Sequence, residues 1–324
     1  MNMPKQIAGR VCASTMVLLS LLVACSKEPV DTTTPVSVAE SEIDDAAWTE
    51  ELIQHREEND EHFRTSRTSP MAGAQYLKSE PTERVYLTRG DRTFGLADNE
   101  TTAAELMVER EDGTWVWRAL AEDIAGEMDS EPIESGSALA ESATFSIADF
   151  TVRFHPAEDR VTFIIFDPER SEMTSFEHLL YFPPDRNYAV PARLVELSEP
   201  EAIEMPTTRN LIKTFYRYAK IEFEVDGENQ ELTAFKYGLT GDEAKGLFIP
   251  FKDSTTGRET YGAGRYIQID DPDSEDFIFD FNRAFNPLCN YSPAYNCTLP
   301  PHENHLKVAI QAGEMTYPGL EDDH

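Results

Sequence analysis

Apolar and polar positions alternate in short runs along most of the chain. Arg84-Val85-Tyr86-Leu87 is the first, followed by turn chemistry at Arg89-Gly90-Asp91. Residues 105–110 and 114–118 flank Asp112-Gly113, a strong hairpin signal, because both residue types tolerate the positive φ of a tight turn. Residues 150–154 and 160–166 flank Pro156-Ala157-Glu158-Asp159, and 220–225 and 231–235 flank Asp226-Gly227-Glu228. Runs at 247–251, 265–269, 277–281 and 307–311 complete the set. Strands joined by short turns predict a mainly β fold with antiparallel sheets, either a sandwich or a partly closed barrel. Residues 119–142 carry seven acids and no base with little periodicity, which predicts an exposed connection with one helical turn or a ragged strand. No internal repeat is visible.

Helical spacing is confined to the stretch before these strands. Ser41 with Asp44 reads as a cap, and Ile43, Ala47, Trp48, Leu52 and Phe63 form a thin apolar stripe among charges. This predicts an N-terminal helix over 41–66, mostly exposed, that pins Trp48 and Leu52 to the body. His55 and His62 on it are seven apart, too far for one metal, and read as surface residues.

Met1 to Ala24 holds no acid and places Lys5 and Arg10 before an apolar stretch from Val11 to Val23, the pattern of an export signal. It closes on Leu22-Val23-Ala24-Cys25, which resembles the lipobox of bacterial lipoproteins, in which the Cys receives diacylglycerol. That resemblance implies a signal peptide at 1–24, lipidation of Cys25 and a cell-envelope location. In enterobacterial lipoproteins an Asp after the Cys resembles an inner-membrane retention signal, so Ser26 points to an outer-membrane lipoprotein. Residues 25–40, rich in Thr, Pro, Val and acids, read as a flexible tether. The region 67–149 is then an N-terminal β region, 150–318 a C-terminal β core and 319–324 a tail.

Charge narrows the partners. The 324 residues carry 60 acids against 28 bases, net −32, and removing the signal makes this −34 over 300 residues. Such a chain repels phosphates, which excludes nonspecific nucleic-acid binding and docking on anionic lipid. The expected partners are the membrane, through the lipid anchor, and a small-molecule or envelope ligand.

Several constellations carry chemistry. Along 277–282, Phe277, Phe279 and Phe281 share a core face, while Ile278, Asp280 and Asn282 share the other, with Arg283 next. Asp280 is either paired with Arg265 or Arg283 as scaffold, or half of a site. Tyr261-Gly262-Ala263-Gly264-Arg265-Tyr266 lacks the third Gly and the helix of a dinucleotide loop, so its glycines are expected to serve a bend or a close backbone approach. The acids at 270–276 miss the Gly and Glu of a calcium loop and read as a solvated turn. Cys289 and Cys297 enclose seven residues, a spacing that suits an envelope disulfide better than a metal site with His302 and His305. No metal and no cofactor is expected.

A series in the second half resembles the bacterial family catalogued as domain of unknown function 1684. It comprises Phe248-Ile249-Pro250-Phe251-Lys252-Asp253, Thr260 to Tyr266, Asp280-Phe281-Asn282-Arg283-Ala284-Phe285-Asn286-Pro287, Pro300 to Asn304, and Ala312-Gly313-Glu314. Upstream, Tyr181-Phe182-Pro183 and Tyr188 to Arg193 are also similar to that family, and Thr93-Phe94-Gly95 resembles its N-terminal region. The family supplies no activity, so the resemblance implies a shared core and site rather than a reaction.

The catalytic candidates are the carboxylates Asp280, Glu303 and Glu314. The ligand-binding candidates are Tyr261, Arg265, Asn282, Arg283, Asn286 and Asn304. No established catalytic motif is present. The reading therefore leans away from an enzyme and toward a ligand-binding or envelope-associated module. The alternatives are a hydrolase using paired carboxylates on a polar or glycan substrate, and a structural interaction protein.

Overall fold

The computed structural model describes residues 45–157 and 159–318. The signal segment, Cys25, the tether, the cap at Ser41 and Asp44, and the tail lie outside these residues. The first element is helix α1 (Asp45–Thr65), which buries Leu52 and Phe63 while most of its surface faces solvent. Leu52, Arg56, Asn59 and Phe63 recur at helical spacing and share one face. Trp48 is half-buried, as its place on the stripe predicts, whereas Ala47 is exposed.

The strands are all antiparallel. They are β1 (Gly73–Lys78), β2 (Arg84–Arg89), β3 (Phe94–Ala97), β4 (Ala104–Glu111), β5 (Thr114–Ala119), β6 (Ile124–Met128), β7 (Glu131–Ile133), β8 (Ala138–Leu139), β9 (Ala143–Ile147), β10 (Phe150–Pro156) and β11 (Val161–Phe166). The order β1-β11-β10-β9-β6-β7 makes one sheet and β3-β2-β4-β5-β8 a second. Alternate residues of both sheets, among them Leu87, Trp117, Phe145, Phe154 and Phe163, fill one apolar core, as in a sandwich. By pairing, residues 150–166 belong with these two sheets. The β4–β5 turn has Asp112 at φ 51° and Gly113 at φ 85°, the conformation that the Asp-Gly pair predicts.

The 119–142 stretch corrects the sequence expectation. It holds β6, β7 and β8, with a tight turn at Asp129 and Ser130 (φ 51° and 66°). These strands are ordered by pairing to β9 and β5, a cause that their own polar periodicity does not show.

The third sheet has the order β16-β15-β14-β13-β12-β17. Its strands are β12 (Ala189–Pro206), β13 (Ile212–Val225), β14 (Glu228–Lys236), β15 (Leu247–Phe251), β16 (Arg265–Ile269) and β17 (Asp276–Asp280). Its core joins Val190, Ile221, Leu232, Ile249, Ile267, Phe279 and Phe281 to Leu306, Ile310 and Ala312 from the closing segment. β17 runs straight into a single 3-10 turn at Phe281–Arg283, which starts the irregular stretch that carries most of the candidate residues.

The expected strand at 307–311 is absent. That stretch is captured by side chains instead: Ile310 N–H donates to Asp253 Oδ2 at 2.9 Å, and Ile310 O accepts from Arg265 Nη2 at 2.8 Å. With both its backbone groups satisfied this way, Ile310 needs no ladder partner.

Candidate functional site

The sequence-derived candidates separate into two groups. Arg265 is 1% exposed and forms an ion pair with Asp253 at 2.9 Å, not with Asp280. Its other guanidinium nitrogen donates to the carbonyls of Ala312 and Glu314. Asp253 in turn accepts from Thr255 N–H and Oγ1 at 3.0 and 2.6 Å. This fully satisfied network latches the closing segment to the sheet. The bend before Arg265 needs Gly264, whose φ is 98° and where a Cβ would lie 2.7 Å from Phe251 O.

Asn304 is likewise buried scaffold. Its amide accepts from Thr233 N–H at 2.8 Å and donates to Thr233 O and Pro250 O at 2.9 and 2.8 Å. It thereby replaces ladder bonds where β14 and β15 meet at one residue pair only. Tyr261 is buried in a cluster with Cys289 and Cys297, its hydroxyl donating to Cys289 O at 3.3 Å. Glu303 sits on the surface against Arg217, with contacts of 2.8 and 3.1 Å. Cys289 and Cys297 are buried neighbours but unlinked, with Cys289 N–H donating to Cys297 Sγ at 3.1 Å. The expected disulfide is not formed in this structure.

Asp280 caps the 3-10 turn. Its Oδ1 accepts from Asn282 N–H and Nδ2 at 2.9 and 2.8 Å, and its Oδ2 accepts from Trp48 Nε1 at 2.9 Å. Arg283 lies 3.9 Å away and makes its closer ion pair with Glu51 of α1 at 2.7 Å. The carboxylate thus ties helix, strand and turn together, with both oxygens engaged as acceptors.

The remaining candidates do converge. Asn282, Arg283, Asn286 and Glu314 line a cavity of about 330 Å³ between α1 and the closing segment. Glu314 is held there by Gly313 (φ 78°), where a Cβ would come within 2.5 Å of Ala284 O. Its Oε2 accepts from Asn286 N–H at 2.7 Å and from Tyr291 O–H at 2.6 Å. Burial pushes the Glu314 carboxyl up to about 7, against the opposing pull of the Tyr291 hydroxyl, Asn286 N–H and Arg265. The Asn286 side chain, 2% exposed, donates Nδ2 to Met315 O at 2.8 Å and leaves Oδ1 without a partner.

Sequence reasoning missed Arg56 and Tyr181. Arg56 donates Nη1 to Phe182 O at 2.9 Å and stacks its guanidinium 4.4 Å from the centre of the Tyr181 ring. Its Nε and Nη2 are buried without partners. The Tyr181 hydroxyl lies beside Asn59 and Glu314 without a hydrogen bond of good geometry to either. Of the eight buried side-chain polar atoms that lack a partner among the described residues, four belong to Arg56, Tyr181 and Asn286 around this cavity. The available signal was Arg56 itself, a charge on the helix face that carries Leu52 and Phe63.

Residues 174–315 match the model of a family described as protein of unknown function (DUF1684). The chain belongs to this DUF1684 family. The match spans β12 to β17 and the closing segment, and so includes the latch and most of the cavity wall. An uncharacterized protein of Haloarcula marismortui, solved by solution NMR, is 36% identical over 46% of this chain and 83% of its own, with a TM-score of 0.39. No curated protein matches. Arg56 lies before the matched region, so the DUF1684 portion supplies Tyr181, Arg283, Asn286 and Glu314 while the helix preceding it supplies Arg56.

Proposed function

We propose that this DUF1684 protein is a binding module that holds a small polar ligand in the cavity beneath α1. One observation carries the reading. Buried donors and acceptors normally find partners, yet Arg56 Nε and Nη2 and Asn286 Oδ1, on side chains that line this one cavity, have none. Its volume of about 330 Å³ suits a ligand of modest size. A bound molecule would complete these groups at no cost in disrupted protein contacts.

A hydrolase acting through paired carboxylates has less support. Glu314 is the one candidate carboxylate that lines this cavity, since Asp280 is occupied as a cap and Glu303 is paired with Arg217. The carboxyl of Glu314, raised to about 7, serves binding by offering a proton to an anionic ligand.

The test is a melting-temperature screen of the full chain against small carboxylates, amines and monosaccharides. At least one class raises the melting temperature of the wild type and not of Arg56→Gln. A screen with no shift from any class would overturn the reading.

The envelope setting is part of the same proposal, supported by the apolar stretch and Leu22-Val23-Ala24-Cys25. A lipid on Cys25 would place the module on the outer membrane, and a Cys289–Cys297 disulfide would suit that compartment. Labelled palmitate is expected to be incorporated by the wild type and lost in Cys25→Ala; retention of label would defeat the anchor.

A further inference from the structure

The cavity does not end at its polar wall. Gln268, Phe285 and Leu288 line it and also line a second groove of about 450 Å³ that contains Phe215, Tyr237, Phe248 and Tyr266. The ring of Phe248 stacks on Phe215 at 5.4 Å and on Tyr237 at 5.2 Å, which makes an aromatic shelf. Tyr237 and Leu288 are 44% and 39% exposed on it. Gln268 bridges the two spaces, donating Nε2 to the Tyr237 hydroxyl at 2.8 Å. A mostly apolar cavity with a few polar groups therefore opens sideways onto a second apolar groove whose exposed edge is Tyr237 and Leu288.

The charge of the cavity is equally specific. Acids outnumber bases 60 to 28 in this chain, yet Arg56 has no carboxylate within 4 Å among the described residues, and Asp280 and Glu314 act on it only from farther off. A half-buried guanidinium in such a chain acquires a carboxylate readily, and an empty place beside one selects for an anion from outside. Asn286 Oδ1, nearby and unpaired, asks for a donor on the same molecule.

We propose that the ligand is an amphipathic carboxylate: its carboxylate meets Arg56, and its acyl or aryl chain crosses Gln268 to lie against Tyr237 and Leu288, which Phe215 and Phe248 back from below. This rests on the reading of the cavity as a binding site. A hydroxyl or amino group close to the carboxylate fits Asn286 Oδ1. The Glu314 carboxyl, when protonated, donates to the same anion.

The test is calorimetric titration of the full chain with acetate, butyrate, hexanoate, octanoate and the neutral 1-octanol. Beyond butyrate, each added methylene tightens binding about fourfold, the free energy of burying one CH2. Octanol binds at least tenfold more weakly than octanoate. Tyr237→Ser weakens octanoate about tenfold and leaves butyrate unchanged, while Arg56→Gln weakens every acid. Butyrate and octanoate binding with equal affinity would overturn the inference and leave the cavity a polar binding site. Octanol matching octanoate, or carboxylates failing where another class in the screen binds, would overturn it in the same way. Absence of binding by all five compounds would overturn the inference, and the cavity reading would fall with it only if amines and monosaccharides also gave no shift.

Discussion

Replacing Glu314 with Gln isolates the buried carboxyl. The group accepts from Asn286 N–H and Tyr291 O–H, both of which a Gln carbonyl can also satisfy. Burial raises its pKa from 4.5 to about 7. Between these values the folded protein keeps a proton that the unfolded chain has released, so raising the pH across this window destabilises the fold. At about 1.4 kcal/mol per pKa unit, this loss is about 3 kcal/mol by the time the carboxyl is ionised. Gln cannot ionise. Glu314→Gln is therefore close to the wild type in stability near pH 4.5 and about 3 kcal/mol more stable at pH 8. Urea unfolding of both proteins across this range, followed by tryptophan fluorescence, measures the difference. Other titrating groups are common to both and cancel. A difference that stays constant from pH 4.5 to pH 8 would refute the account of Glu314.

The scaffold residues give complementary expectations. Asp280→Ala removes the acceptor for Trp48 and Asn282, costs about 2 kcal/mol, and exposes Trp48 to iodide quenching, while Trp115 and Trp117 stay shielded. Unchanged quenching would show that the cap does not seat the helix. Asn304→Ala strands Thr233 N–H and two carbonyls in the core and lowers stability by about 3 kcal/mol, read from the melting midpoint. Arg265→Met leaves Asp253 buried and unpaired at a cost of about 3–5 kcal/mol. The double variant Arg265→Met with Asp253→Asn recovers part of that loss, and a single variant that melts with the wild type would contradict the latch.

The sequence was most informative where one residue type serves one backbone need. Asp112-Gly113 and Asp226-Gly227 predict hairpins because positive φ at both positions suits those residues, and both turns adopt it. Phe279 and Phe281 are buried as their alternation requires. β12 was hidden because Pro191, Pro200 and a run of Glu break its pattern, and much of it faces solvent. Pairing across long separations was also illegible: Arg265 takes Asp253, twelve residues back, and nothing local distinguishes that partner from Asp280. The site was half visible. Asn286 and Glu314 stand in one short region of motifs, whereas Arg56 reaches the cavity from a helix whose many charges concealed the one that turns inward.

The seating of α1 bears on the order in which the chain can assemble. The two N-terminal sheets draw their core from residues 77–165. Phe63 of α1, in contrast, packs against Tyr291 with ring centres 4.9 Å apart, and Trp48 bonds to Asp280. The helix is therefore seated only after the more than 200 residues that separate it from Asp280 and Tyr291 have been made. Until then its apolar stripe is uncovered, and its dense charge is what keeps that waiting segment from associating with other chains.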